Sequence, residues 1–127
     1  MARNIIDLPT LGDDGKLYRD TAVDMVESLI PNPWESCHAP DLLELENGDL
    51  LCCWFAGSRE GNADISIAVA RLPADAEQWE QPVIVSDDPT RSEQNPSLFQ
   101  NPNGDIWLMY TAQAAKKPDD NSDDSLQ

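Results

Sequence analysis

The chain has 127 residues, an ordinary length for one domain, and 40% of them are hydrophobic. Twenty-four acidic residues against eight basic ones give a formal charge of −16. Such a field repels phosphate backbones and anionic bilayers, which argues against nucleic-acid and membrane partners.

Cys37, Cys52 and Cys53 are odd in number and show no CxxC spacing, which favours free buried thiols in a reducing compartment over a disulfide framework or a zinc knuckle. No metal and no cofactor is expected. Asp7 and Pro9 interrupt any run apolar enough for a signal peptide, and no segment reaches transmembrane length. The expected location is cytoplasmic.

In chain order, residues 1–20 are polar and turn-rich, with Gly12-Asp13-Asp14-Gly15 as a turn signal. Residues 22–30 read as a strand ending before Pro31-Asn32-Pro33, with a short helix as the alternative because Ala22, Val23, Val26 and Ile30 also fit a helical face. From Pro40 the strand pattern is clearer. Asp41–Leu45 and Leu50–Phe55 flank Asn47-Gly48, a hairpin signal in which both turn residues accept positive φ. Ile65–Arg71 and Val83–Val85 supply two more strands, with Trp79 in the loop between them. Four antiparallel strands in succession match one blade of a β-propeller.

An internal repeat supports that reading. Pro40-Asp41-Leu42-Leu43 with Asn47-Gly48-Asp49-Leu50 recurs 56 positions later as Pro96-Ser97-Leu98-Phe99 with Asn103-Gly104-Asp105-Ile106. The register runs on without a gap, Trp54 falling on Tyr110 and Ala56 on Ala112. The fold expected is therefore all-β, with about two propeller blades. Residues 1–35 form an N-terminal segment with a closing strand, residues 36–90 the first blade, and residues 91–127 the start of a second blade and an acidic polar loop or tail.

On Ser36-Cys37-His38-Ala39-Pro40, Trp54-Phe55-Ala56-Gly57-Ser58-Arg59-Glu60-Gly61, Ser92-Glu93-Gln94-Asn95-Pro96-Ser97 and Trp107–Gln113, the chain resembles the sialidase (neuraminidase) superfamily. It resembles most its divergent bacterial sialidase-like branch with bacterial-neuraminidase-repeat-like domains. The resemblance implies a six-bladed propeller with a glycan site where the innermost strands of successive blades converge. It also implies a three-arginine cluster for the substrate carboxylate, a tyrosine nucleophile assisted by a glutamate, and an aspartate acid/base, a scheme outside the usual paired carboxylates.

Carried onto this chain, the Arg-Ile-Pro motif of the first cluster arginine falls on His38-Ala39-Pro40. An imidazole lacks the planar guanidinium fork that clamps a carboxylate, which argues against sialic acid as substrate. Some sialidase-like propellers acting on rhamnose–glucuronate linkages use a channel histidine for proton transfer, so His38 is a catalytic candidate. Asp64 matches the acid/base aspartate, and Arg59 in the same loop is a candidate for an anionic group or an ion pair with Glu60. Asn95-Pro96 matches an Asn-Pro pair at the equivalent strand start, where Glu93, Gln94 and Asn95 are candidates for sugar hydroxyls. The aspartate-box signature is reduced to a remnant around Trp79, which reads as core.

The resemblance thus implies an exo-glycosidase acting on a carbohydrate, with a sialidase-like lyase or rhamnosidase as an alternative. The tyrosine nucleophile and most of the arginines would lie in other blades, so the chain by itself is expected to be inactive. From a different class comes a non-catalytic carbohydrate-binding module that completes its propeller as a homo-oligomer.

Overall fold

The computed structural model describes residues 5–7 and 11–116, so the readings of residues 1–4 and of the acidic stretch past Lys116 lie outside it. Within these residues the chain is all-β. Nine strands form three sheets.

The central sheet is an antiparallel meander in the order β4 (Ser36–Glu44), β5 (Leu50–Gly57), β6 (Ser66–Leu72) and β7 (Val83–Ile84). This is one complete blade, with its four strands where the apolar runs predict them. The Asn47-Gly48 turn differs in detail from the expectation. Only Gly48 takes a positive φ, at 90°, and the turn closes with Gly48 N–H donating to the Leu45 carbonyl at 2.9 Å. Asn47 instead stays outside the left-handed region and uses its side-chain oxygen to accept from Asp49 N–H.

β5 runs through the middle of the blade and alternates between two cores, because successive side chains point to opposite faces. Cys52, Trp54 and Ala56 on one face join Ala68, Ala70, Leu72, Trp79 and Leu17. Leu51, Cys53 and Phe55 on the other join Leu45, Ile65, Ile67 and Leu98. Each large aliphatic side chain fully buried in this way contributes about 1.5–3 kcal/mol. Trp79 lies in the core, as its position after the third strand implies.

The second blade begins as a hairpin, β8 (Arg91–Gln100) and β9 (Ile106–Ala114). Its Leu98 and Leu108 pack on the Cys53 face of the first blade. Hydrogen bonds cross between the blades, among them Leu98 N–H to Asp41 Oδ2 at 2.8 Å, Glu93 N–H to the Ile65 carbonyl at 3.0 Å, and Glu46 N–H to Gln100 Oε1 at 3.0 Å. The repeat extends to the backbone. Gly48 and Gly104 have φ of 90° and 89°, and the turn bond of Gly48 to Leu45 recurs as Gly104 to Asn101 at the same 2.9 Å.

The opposite, Cys52 face of the first blade carries the N-terminal sheet, β1 (Ile6–Asp7), β2 (Tyr18–Asp20) and β3 (Met25–Glu27). β1 and β2 are parallel, β2 and β3 antiparallel. Leu17 inserts into the core, and Trp79 N–H donates to the Gly15 carbonyl at 2.9 Å. The predicted 22–30 strand is therefore short. Residues 21–24 form a turn, in which Asp20 Oδ1 accepts from Ala22 N–H and Asp24 takes φ +50°, and the strand proper occupies only Met25–Glu27. The helical alternative is not adopted.

Candidate functional site

The inner strands β4 and β8 start at one end of the blades, and each is broken by the same irregularity. Pairing of β4 with β5 shifts between His38 and Asp41, and pairing of β8 with β9 shifts between Gln94 and Ser97. The residues left unpaired are Ala39-Pro40 and Asn95-Pro96, with φ of 54° at Ala39 and 52° at Asn95. A bulge of this kind re-aims the residues around it and often borders a binding site. Asparagine tolerates the left-handed region because its side chain can bond locally, whereas alanine pays a steric penalty there. In repeat register His38 corresponds to Gln94, and Asn95 to Ala39.

His38 is exposed and its ring lies against Phe55, with centroids 5.5 Å apart and planes tilted by 36°. It also borders an apolar cleft of about 260 Å³ lined by Ile30, Asn32, Cys37, Pro40, Cys52 and Trp54. Cys37 is exposed rather than buried, and its Sγ accepts from Asn32 Nδ2 at 3.1 Å. The other two thiols fit the buried reading: burial pushes both Cys52 and Cys53 up to about 11, assisted by the negative charge of Asp41.

The loop from Ser58 to Ile65, between β5 and β6, holds Arg59 and Asp64, both exposed. Asp64 closes the loop: its Oδ2 accepts from Ser58 N–H at 3.1 Å and its Oδ1 from Ser58 Oγ at 2.9 Å. Asn62 Nδ2 donates to the same Ser58 Oγ. Gly61 is buried with φ +93°, its carbonyl accepts from Lys116 N–H at 2.8 Å, and the Lys116 side chain covers its α-carbon. Since the Ile65 carbonyl accepts from Glu93 N–H as well, this one loop is fastened to β8 and to the segment just past β9. Asp64 further shares a cleft of about 340 Å³ with Pro33, Trp34, Glu35, Gly57 and Ser58. Trp34 and Glu35 were not singled out from the sequence. The available signal was an aromatic residue and a carboxylate immediately before the first inner strand.

Glu93 and Gln94 sit beneath this surface. Glu93 is 1% exposed; its Oε1 accepts from Asp88 N–H at 3.2 Å, and its Oε2 is buried with no hydrogen-bond partner. Gln94 is also buried and donates from Nε2 to Ser92 Oγ at 2.8 Å, while its carbonyl accepts from Thr111 Oγ1. Asn95, next in the chain, is exposed. The Tyr110 hydroxyl lies in the field of this group and is held above its ordinary value, first by burial and then by the charges of Glu93, Asp87 and Asp88. Among the described residues no cluster of His, Cys, Asp and Glu is arranged to hold a metal ion.

The structure thus brings Arg59, Asp64, Glu93, Gln94 and Asn95 to one end of adjacent blades, with His38 at the matching start of the first inner strand. No curated protein and no solved structure matches the chain. Residues 48–124, from the first hairpin turn through the second blade, match the BNR repeat-like domain. That span includes both strands of the second blade and three of the four in the first, so the chain belongs to the BNR repeat-like domain family.

Proposed function

We propose that the chain supplies two neighbouring blades of a sialidase-like propeller that processes glycans by hydrolysing a glycosidic bond, and that its part of the sugar site lies at the bulged ends of the inner strands. The observation that carries this reading is the twofold αL-proline bulge, at Ala39-Pro40 and Asn95-Pro96, next to the one loop that carries both Arg59 and Asp64. Repeated bulges aim exposed polar groups from successive blades towards a common axis. In this assignment His38 and Asp64 are the proton-transfer groups, and Arg59 and Asn95 meet the sugar. Glu93 and Gln94, buried directly below, hold the Asn95 bulge in place.

The −16 charge opposes an acidic sugar across the surface as a whole, which favours a neutral sugar unit at this end in spite of the single positive charge of Arg59. Saturation-transfer NMR of the purified chain with neutral and acidic oligosaccharides tests the proposal. Transfer is expected to neutral sugars and to be lost in His38→Ala and Asn95→Ala, but kept in Asp105→Ala at the far hairpin end. No turnover of fluorogenic sialosides or rhamnosides is expected from the chain alone. Absence of transfer from every saccharide would sink the glycan reading.

A further inference from the structure

The boundary between the two blades has a donor side and an acceptor side, and the repeat reproduces each of them, uncovered, at an outer face of the molecule. On the donor side β8 places Leu98, 8% exposed, against the Leu51, Cys53 and Phe55 face of the first blade, with Leu43 at its margin. The register counterpart of Leu98 is Leu42, which is 61% exposed on the Cys52 side of the first blade. The counterparts of Leu43, Leu51 and Cys53 are Phe99, Trp107 and Met109. These lie open on the second blade, Trp107 and Met109 at 52% and 53% exposure, with the Phe99 and Trp107 rings stacked 5.7 Å apart. Soluble monomers rarely leave such a contiguous apolar face bare.

The strand edges complement each other in the same sense. β9 has no strand on its outer edge among the described residues, whereas its counterpart β5 pairs there with β6. The N-terminal sheet has the opposite gap. It covers the outer part of the Cys52 face but leaves a slot of about 630 Å³ between β3 and the inner strand, lined by Val26, Glu27 and Ile30 on one side and Pro40, Leu42 and Cys52 on the other. Among the described residues there is thus an inner pair of strands without outer ones, and an outer sheet without inner ones.

We propose that a second copy of this chain seats its β8–β9 hairpin in that slot, so that copies join head to tail and each junction forms a composite blade. Leu42 then enters the Phe99, Trp107 and Met109 face of the neighbour as Leu98 enters its own first blade, and the β9 edge meets β3. Ser97, the counterpart of Asp41, offers a hydroxyl oxygen where Asp41 accepts from Leu98 N–H. The Glu46 to Gln100 bond has no equivalent at the junction, because Pro102 stands at the Glu46 position and has no N–H. A head-to-tail contact closes into a ring when its rotation allows. With propellers of about four to eight blades, closure takes about two to four copies.

Light scattering coupled to gel filtration of the full chain tests this. One closed species is expected, at a small integer multiple of the 14.1 kDa chain mass. Leu42→Arg and Met109→Arg, both at exposed positions and checked for unchanged circular dichroism, should each give monomers. Because each variant spoils one side and keeps the other, their mixture should give a one-to-one heterodimer and nothing larger. A monomeric parent chain overturns the proposal. So does a parent dimer whose variants fail to recombine, since that marks a face-to-face interface between identical surfaces. The outcome is independent of sugar binding, which the NMR experiment reads separately.

Discussion

β5 and β9 occupy the same place in the repeat and have opposite fates. β5 is buried from Leu51 to Gly57, while none of the nine residues of β9 is fully buried. Trp54 is 6% exposed and its counterpart Tyr110 39%. Their apolar patterns are alike, so the strand's own sequence does not decide burial. The neighbours decide it: β5 has strands on both edges and a packed layer on each face, whereas among the described residues β9 has one strand edge and one face occupied. The second blade is held mainly by what the first supplies, through Leu98, the Asp41 carboxylate and the Ser58–Ile65 loop.

The largest test of this contrast is core truncation. Ile67 is fully buried between the blades, and Ile67→Ala should cost about 2–5 kcal/mol in urea unfolding through the cavity it leaves. Met109→Ala, measured on a Leu42→Arg background that keeps copies apart, should stay within about 0.5 kcal/mol. Equal costs would mean that the β9 face is covered within a single copy, and the contrast would fail.

Next in size is the pair of bulges, where the backbone is the same and the residue differs. Ala39 at φ 54° bears a penalty that Asn95 at φ 52° largely avoids. Ala39→Gly should therefore stabilise the chain by about 1 kcal/mol, and Asn95→Ala should destabilise it by several tenths. Opposite signs for these two substitutions in urea midpoints are the expected result. A loss of stability in Ala39→Gly would mean that the first bulge does not hold the left-handed conformation in solution.

The bulges also mark how far the sequence could be read. The meander of the first blade, the repeat register and the core position of Trp79 were all legible, because strand alternation and the 56-residue spacing record them directly. The ends of the inner strands were less so. β4 begins at Ser36, before the apolar run, since its first residues are held by pairing to β5 and not by their own burial. The burial of Glu93 and Gln94 was not legible either: a polar Ser-Glu-Gln stretch reads as surface, and it is the approach of Ile65 and of the 87–88 segment that encloses it. Of the N-terminal sheet only β3 was legible, inside the strand read over 22–30; β1 and β2 were hidden for a related reason, as they are two and three residues long and owe their order to the Cys52 face beneath them.

The smallest predicted effect compares the two hairpin turns at their aspartates. Asp49 accepts from Ala74 N–H at 2.8 Å and from Arg71 Nε at 2.9 Å, and these hold its carboxyl below the ordinary 3.8, the Ala74 amide most strongly. Its counterpart Asp105 accepts at its side chain from Asn101 Nδ2 at 3.4 Å. A carboxyl depressed on folding contributes stability that is fully present above its unfolded value and is lost as pH falls through the folded one. The gap between the parent chain and Asp49→Asn should therefore be open at neutral pH and close below about pH 3.8. Arg71 is 44% exposed, so added salt should narrow the gap as well. Asp105→Asn should cost less than Asp49→Asn at neutral pH, because among the described residues its side chain accepts only from within its own hairpin turn, at 3.4 Å. Urea midpoints at neutral pH and near pH 3 decide the matter. A gap that widens on acidification would show that the Ala74 and Arg71 contacts do not act on the folded chain.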